Sequence, residues 1–264
     1  MTQPRFARQR SGREYLWPFD PPHELMVPST TTIIGGGVPK EALRYWAAKM
    51  VAEFAYDNVE TWPHLKRADA VDLLKRAPFR FTEHKAEVGD CVHAAIETYL
   101  GRRAIVPMGK VERGYFDGAM AFLVDQEVEV LRAEATVFSR THGYAGTADL
   151  FFRTPVLDGA AVVGDWKTAK AVYDETGLQL AASAFADFIA DPDGHTEIEM
   201  PNCEYGVTIR LTTTGNYEAV PFQMTRKLFD IFLAAKVVAD RESTFRTVRG
   251  LPLAPPRDEE KEAA

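Results

Sequence analysis

Cysteine is scarce in this 264-residue sequence, which contains only Cys91 and Cys203. The two residues are far apart and form no CxxC pair, so a disulfide framework or a four-cysteine zinc or iron–sulfur site within one chain is excluded. No stretch approaches the roughly 18 apolar residues of a membrane helix, and the first residues lack the apolar run of a secretory signal. We therefore expect a cytoplasmic protein with reduced thiols and no membrane segment.

Positive charge is also in short supply, because 31 basic residues face 38 acidic ones and the net charge is −7. Such a balance argues against a protein that coats nucleic acid through clustered Lys and Arg. Distribution matters more than the sum. Residues 1–28 are predicted to form an extended basic arm, with Arg5, Arg8, Arg10 and Arg13 in its first half. Residues 246–264 are predicted to be a flexible, mostly charged tail.

Hydrophobic periodicity predicts one domain over residues 29–245, with an α/β core and a helical N-terminal elaboration. The part from 29 to 130 is mainly helical, although the β-branched run 29–34 favours a strand before Gly35-Gly36-Gly37. Helices are expected at 39–58, 61–76, 83–100, 113–130, 177–190 and 224–240. The catalytic sheet is expected within 131–222, with strands at 133–139, 145–153, 160–167, 203–211 and 217–222.

The pair Asp165 and Lys167 ends an apolar strand and carries the first chemical signal. Side chains alternate along a strand, so these two share a face while Trp166 points the other way. A surface ion pair is the simple alternative for so short a motif. The preceding strand places Asp149 on an otherwise apolar segment, and pairing of the two strands would bring both carboxylates together. Two close carboxylates repel unless a cation or a proton lies between them, so a hard divalent ion with oxygen ligands is expected.

Three further polar residues flank this pair of strands. His93 follows Gly89 on a helix, with Glu97 one turn later, and a lone helical histidine is more often structural than a ligand. Glu134 lies on the strand before Asp149 and could be an additional ligand or a support behind the ligands. Gln179 begins a helical run of Leu and Ala, where it could equally be an exposed residue.

Taken in order, these motifs resemble the PD-(D/E)XK nuclease superfamily, in its RecB-like, phage exonuclease branch. The resemblance spans residues 29–240 and rests on Gly89…His93, Gly146-Thr147-x-Asp149, Asp165-x-Lys167 and Gln179-Leu-Ala-Ala. Each motif is weak by itself, and four in order at compatible spacing are strong. The resemblance implies a restriction-endonuclease-like core, a mixed central sheet flanked by helices. It also implies a Mg²⁺- or Mn²⁺-dependent deoxyribonuclease.

Residue roles follow from the same resemblance. His93, Asp149, Asp165 and the backbone carbonyl of Trp166 would bind the metal, Lys167 would act on the attacking water, and Gln179 would position Lys167 or the phosphate. The sequence departs from the family pattern at Ser183, where a tyrosine is usual, and Phe185 and Phe188 are expected to supply packing there. CRISPR-associated relatives hold an iron–sulfur cluster through four cysteines, so no such cluster is expected here.

DNA is the expected partner, most simply its linear ends, in recombination, repair or end-processing of a phage type. A recombinase, an annealing protein or a helicase is a compatible protein partner, and both a monomer and a toroidal oligomer remain open. Whether the enzyme is an exonuclease or an endonuclease is also open, with an exonuclease favoured.

Single features of the sequence are also compatible with other functions. The glycines at 35–37 before a Pro-initiated helix could suit phosphate binding, but Gly-Lys-Ser/Thr is missing and a turn is simpler. A catalytically silent DNA-binding or recombination-accessory protein with the same fold is the main alternative, and a metal-dependent hydrolase of another substrate is a third. Aromatic residues of the helical part could stack on unpaired bases, although core packing is more usual; they are Tyr45, Trp46, Trp62 and Tyr115.

Overall fold

The protein is described by a computed structural model that covers residues 7–9, 13–17, 25–191 and 196–250. Its strands are β1 (Ala7–Gln9), β2 (Arg13–Leu16), β3 (Met26–Pro28), β4 (Glu129–Ser139), β5 (Tyr144–Arg153), β6 (Ala161–Lys167), β7 (Phe188–Ala190), β8 (Glu197–Ile198), β9 (Cys203–Leu211) and β10 (Tyr217–Gln223). Its helices are α1 (Thr30–Gly37), α2 (Glu41–Asp57), α3 (Arg67–Lys75), α4 (Ala77–Arg102), α5 (Lys110–Asp125), α6 (Thr176–Ala184), α7 (Arg226–Ala239) and α8 (Arg241–Val248). Short 3₁₀ turns occur at Trp62–His64 and Pro155–Leu157.

Seven strands form the central sheet, in the order β10-β9-β6-β5-β4-β7-β8. Neighbours pair antiparallel, except that β6 and β9 run parallel because α6, β7 and β8 connect them. A parallel pair needs a long crossover, and a helix commonly supplies it. The prediction of an α/β fold with a mixed sheet flanked by helices is confirmed.

The two faces of the sheet are covered by different helices. Phe151 and Val163 pack in one core with residues of α1, α6 and α7. Phe152 and Val162, one position along each strand, pack in a second core with residues of α4 and α5. Strand alternation thus buries both faces, and it encloses Asp149 of β5 and Asp165 of β6.

The described residues of the predicted basic arm form a second, three-stranded antiparallel sheet, β1-β2-β3. Tyr15 of β2 is 1% exposed and meets the ring of Phe138 edge to face, with centroids 6.1 Å apart. Trp17 makes similar contacts with Phe138 and Phe188. These aromatic contacts hold the small sheet against the main domain. The predicted tail lies outside the described residues beyond Gly250, and its beginning belongs to α8.

The β-branched segment 29–34 forms a helix, so the strand predicted there is wrong. Ser29 caps α1 by accepting the backbone N–H of Thr32, and Ile33 and Ile34 are buried. Gly37 explains the glycine run, because an added Cβ would lie 1.9 Å from the carbonyl oxygen of Ala235 in α7. Capping and close helix packing therefore override the local β-propensity.

The helix predicted at 177–190 is also too long. It ends at Ala184, and residues 188–190 form strand β7 beside β4. The 113–130 helix likewise ends at Asp125, since Glu129 already belongs to β4. In both places strand pairing within the sheet takes backbone that apolar periodicity assigns to a helix. Within the described part of the chain, no helix is both long and apolar enough to cross a membrane.

Candidate metal-dependent active site

Asp149 and Asp165 lie on neighbouring strands at the point where β5 and β6 separate. The ladder between the two strands ends at Leu150 opposite Gly164, and continuing its register places Asp149 across from Asp165. One carboxylate oxygen of Asp149, Oδ2, accepts the backbone N–H of Trp166 at 2.8 Å, so a side chain continues the hydrogen bonding. Both acids line the same cavity and are 9% and 3% exposed.

Lys167 and Gln179 form a network around Asp165. Nζ of Lys167 lies 2.8 Å from Oδ1 and 2.7 Å from Oδ2 of Asp165. Gln179 of α6 donates from Nε2 to Asp165 Oδ1 at 2.9 Å, and its Oε1 accepts from Lys167 at 3.4 Å. The buried Oδ2 atom has the ion-pair contact but no directed hydrogen bond. One oxygen of a buried carboxylate is thus left with coordinating capacity.

His93 reaches the two strands from α4 on the other side. Its Nε2 atom lies 3.1 Å from the carbonyl oxygen of Trp166, and Nδ1 lies 3.6 Å from Oδ2 of Asp149. A carbonyl oxygen only accepts, so Nε2 carries the proton in this contact. Binding of a cation through Nε2 would require the other tautomer, with the proton on Nδ1 beside Asp149. His93 thereby touches two other groups that the sequence predicts as metal ligands.

Glu134 completes a group of three potential metal ligands. Ligand atoms of His93, Glu134 and Asp149 all lie within 4.8 Å of one another. Glu134 has a φ of 50°, in the left-handed region that costs a non-glycine residue about 1–2 kcal/mol. Such positions persist where the surroundings enforce them and concentrate at functional sites. One nitrogen and two carboxylates form a donor set suited to a divalent ion.

Burial and charge together shift the acid–base properties of the site. Burial raises the pKa of Asp165 above its usual value, Lys167 partly offsets the rise, and Asp149 adds to it. Burial alone would lower the pKa of Lys167, but the negative charges of Asp165 and Asp149 and the hydrogen bond to Asp165 outweigh it and raise the pKa. Lys167 is therefore an ammonium group at neutral pH.

The cavity around these residues has a volume of about 330 Å³. Its lining includes five carboxylates against the single ammonium of Lys167, and they belong to Asp90, Glu97, Glu134, Asp149 and Asp165. It also includes hydroxyl groups, from Tyr15, Ser29, Thr30, Thr31, Thr147 and Ser183. Gly146 lines the cavity too, and a Cβ there would come 2.7 Å from Oγ1 of Thr30. An excess of enclosed carboxylates calls for cations.

The structure brings together every side chain that the sequence predicts for the site. Asp149, Asp165, Lys167, Gln179 and His93 line one cavity, and Glu134 joins them. Asp165 is not part of the compact three-ligand group, because its oxygens face Lys167 and Gln179, so its role as a ligand stays a prediction. Sequence reasoning missed Tyr15, since nothing local connects a residue of β2 with a cavity built over 100 residues later.

The aromatic residues near the site pack as well. The Trp166 indole is buried and meets Phe122 edge to face at 5.7 Å, while its carbonyl faces His93. Phe185 stacks on Phe229, and Phe188 stacks on Phe138. Of the residues considered for base stacking, Tyr115 is 7% exposed and belongs to the core, whereas Tyr45 is 80% exposed on α2.

Comparison with known proteins gives limited guidance. No protein-family model and no curated protein matches the chain. Among solved structures, SSO0001 aligns at 12% sequence identity over 57% of this chain and 73% of its own, with a TM-score of 0.29. LHK-Exo in complex with dAMP aligns at 10% identity over 59% of this chain and 82% of its own, also with a TM-score of 0.29. Similarity at this level establishes no family, so function has to be inferred from the site.

Proposed function

We propose that the protein is a metal-dependent nuclease that hydrolyses phosphodiester bonds in DNA, with a PD-(D/E)XK core of the RecB-like branch. One observation carries the proposal. Two neighbouring strands deliver Asp149 and Asp165 to a single cavity, and Lys167, two residues beyond the second acid, is held against it. A surface ion pair does not account for this arrangement, because Asp165 is 3% exposed.

The residues fit a divalent cation, for which Mg²⁺ and Mn²⁺ are the proposed identities. His93, Glu134 and Asp149 supply the compact donor group. Asp165, through its oxygen that lacks a hydrogen bond, and the carbonyl of Trp166 are the further proposed ligands. A bound divalent ion would supply Lewis-acid stabilisation of phosphate charge and lower the pKa of a water molecule.

The chain's own residues then orient the reaction. Lys167 acts as an ammonium donor that holds the attacking water or a phosphate oxygen, because its pKa is raised rather than lowered. Gln179 fixes Lys167 and Asp165 relative to each other. The Asp149–Trp166 hydrogen bond fixes the backbone between the second acid and the lysine. Preorganised donors of this kind stabilise developing charge without reorganisation.

The biological setting is proposed from the resemblance of the sequence motifs. It comprises exonucleolytic processing of linear DNA ends in recombination or repair, with a recombinase, an annealing protein or a helicase as partner. A silent DNA-binding protein of the same fold is the alternative, and it would keep DNA affinity without cleavage.

A cleavage assay on linear DNA with Mg²⁺ or Mn²⁺ tests the proposal. Asp165→Asn and Lys167→Met should each lower the rate about 10²- to 10⁴-fold, the range for removal of a catalytic group. Asp230→Asn is the matched control, because this exposed acid on α7 pairs with Arg226 and does not line the cavity. Its rate should equal that of the wild type.

Thermal unfolding supplies a readout independent of turnover. Mn²⁺ should raise the melting temperature of the wild type, since an ion that binds only the folded state stabilises it. Glu134→Gln and Asp149→Asn should reduce the increase. Wild-type cleavage by the Asp165 and Lys167 variants, or a melting temperature indifferent to Mn²⁺, would contradict the proposal.

A further inference from the structure

The carboxylates of the site lie at the bottom of a recess. The side chain of Asp165 is 4% exposed and that of Asp149 is 10% exposed, whereas His93 and Lys167 at the sides are 31% and 27% exposed. A phosphate that contacts these carboxylates, directly or through a cation, must therefore enter the cavity. The cavity volume of about 330 Å³ is at the low end of the range of about 300–1,000 Å³ for small-molecule pockets. A pocket of this size holds a small-molecule ligand, on the order of one nucleotide.

Tyr15 closes this recess from the side of the small N-terminal sheet. It lies on the middle of three strands, opposite Val27 of β3 and Ala7 of β1. The edge-to-face contact with Phe138 holds the ring, and the hydroxyl lies 2.9 Å from Oγ1 of Thr147, two residues before Asp149. Both ends of the side chain are thus positioned, and the residue lines the same cavity as the acids.

The chemistry of the wall suits a phosphodiester. Besides the carboxylates, the cavity is lined by hydroxyl groups, which donate hydrogen bonds without adding positive charge. Either oxygen of the Tyr15–Thr147 pair could be the donor, so the pair can turn one proton towards an anion in the cavity. Hydrogen bonds to an ionised oxygen are about twice as strong as neutral ones.

From this arrangement we propose that Tyr15 is a specificity-determining residue of the site. Its phenol closes the recess so that only an unpaired nucleotide enters, and its hydroxyl binds a phosphate oxygen of that nucleotide. The substrate is then single-stranded DNA, or an end whose strands have separated, because a base-paired duplex cannot place one nucleotide in so small a recess without opening. This inference rests on the proposed nuclease function and names the form of DNA that the site takes.

Binding of fluorescent DNA to the full-length protein tests the inference apart from turnover. The probes are a single-stranded oligothymidylate of roughly 20 nucleotides, long enough for typical single-strand sites, and a blunt duplex of equal length. Affinities are measured by anisotropy in Ca²⁺, with intact probe verified on a gel. The wild type should bind the single strand at least about tenfold more tightly than the duplex, the scale of one charge-assisted hydrogen bond.

Tyr15→Phe keeps the ring and removes only the hydroxyl. We expect it to weaken single-strand binding about tenfold and, in Mn²⁺, to raise KM for the single strand while kcat changes less than twofold. Tyr56→Phe is the matched control, because Tyr56 is 84% exposed on α2 and outside the cavity. Melting temperatures of both variants are measured to show that they are folded at the assay temperature.

Two results would overturn the inference: equal affinity of the wild type for both probes, or single-strand affinity of Tyr15→Phe within twofold of the wild type. Either one can occur while DNA is still cleaved, and the nuclease proposal would then stand. Tight, Tyr15-dependent binding of the single strand without cleavage in Mg²⁺ or Mn²⁺ would instead support Tyr15 and defeat the nuclease proposal.

Discussion

Replacing Lys167 with methionine should expose how strongly the site depends on its ion pair. The lysine pairs with the carboxylate of Asp165, whose side chain is only 4% exposed. Methionine keeps most of the aliphatic length and removes the ammonium. Asp165 then retains the hydrogen bond from Gln179 but loses the ammonium group beside it.

The expected loss in the free energy of unfolding is about 3 kcal/mol near neutral pH. Breaking a buried ion pair by removal of one partner costs about 3–5 kcal/mol, and the remaining hydrogen bond places this case at the low end. The exposed pair Arg226–Asp230, with side chains 66% and 55% exposed, is the control. Arg226→Met should cost less than about 1 kcal/mol, because solvent screens such pairs.

The pH dependence of the loss has a definite sign. The pKa of Asp165 is already raised in the folded protein, and without Lys167 it rises further. The folded variant then binds this proton more tightly than the unfolded chain, so its stability is greatest in acid and falls as pH rises through the folded pKa. The raised pKa of Lys167 in the wild type contributes stability that is complete below its unfolded value of 10.5 and is lost only above it. As pH rises, both proteins should weaken through this carboxylate, and the variant more strongly, because Lys167 offsets part of the rise in the Asp165 pKa of the wild type.

Urea unfolding in EDTA, followed by tryptophan fluorescence, measures these differences by linear extrapolation. Equal losses for Lys167→Met and Arg226→Met would refute the reasoning that burial makes the pair important. A loss for Lys167→Met that does not grow as the pH is raised would refute the assignment of the effect to the Asp165 carboxylate.

Two further predictions concern packing and thiol chemistry. Gly114→Ala should destabilise the protein by about 2 kcal/mol or more in the same urea assay, because its Cβ would lie 2.0 Å from the carbonyl oxygen of Thr213. Gly101→Ala is the control, because an added Cβ there has nothing within 4 Å. It should be neutral or stabilising by up to about 1 kcal/mol. A thiol reagent at about pH 8 should modify exposed Cys91 rapidly and buried Cys203 only on unfolding, because burial raises the pKa of Cys203 to about 12 and leaves roughly a thousand-fold less thiolate than at the usual 9.0. Rapid reaction of two thiols in the folded protein, or an unchanged stability of Gly114→Ala, would contradict these expectations.

The candidate site could largely be predicted from the sequence because its main residues lie on two adjacent strands. Alternation along β6 places Asp165 and Lys167 on one face whatever surrounds them. A short connection between Arg153 and Ala161 makes antiparallel pairing of β5 and β6 the simplest arrangement, and the observed register brings Asp149 opposite Asp165. The distant residues His93 and Gln179 were predicted through motif order, and the structure places both beside these acids.

The sequence by itself determined the strand periodicity and the acid–lysine spacing, since both depend on neighbours within a few residues. The scarcity of cysteine follows directly from the composition. The tertiary structure decided what those neighbours could not. Segment 29–34 became helix α1 because Ser29 caps it and α7 packs closely on its glycines. Tyr15 entered the cavity, and Glu134 was placed beside His93 and Asp149, only through contacts between distant parts of the chain. Such long-range contacts compensate for the low helix propensity of 29–34 and the strained φ of Glu134. Their contribution cannot be predicted from the residues on either side of these positions.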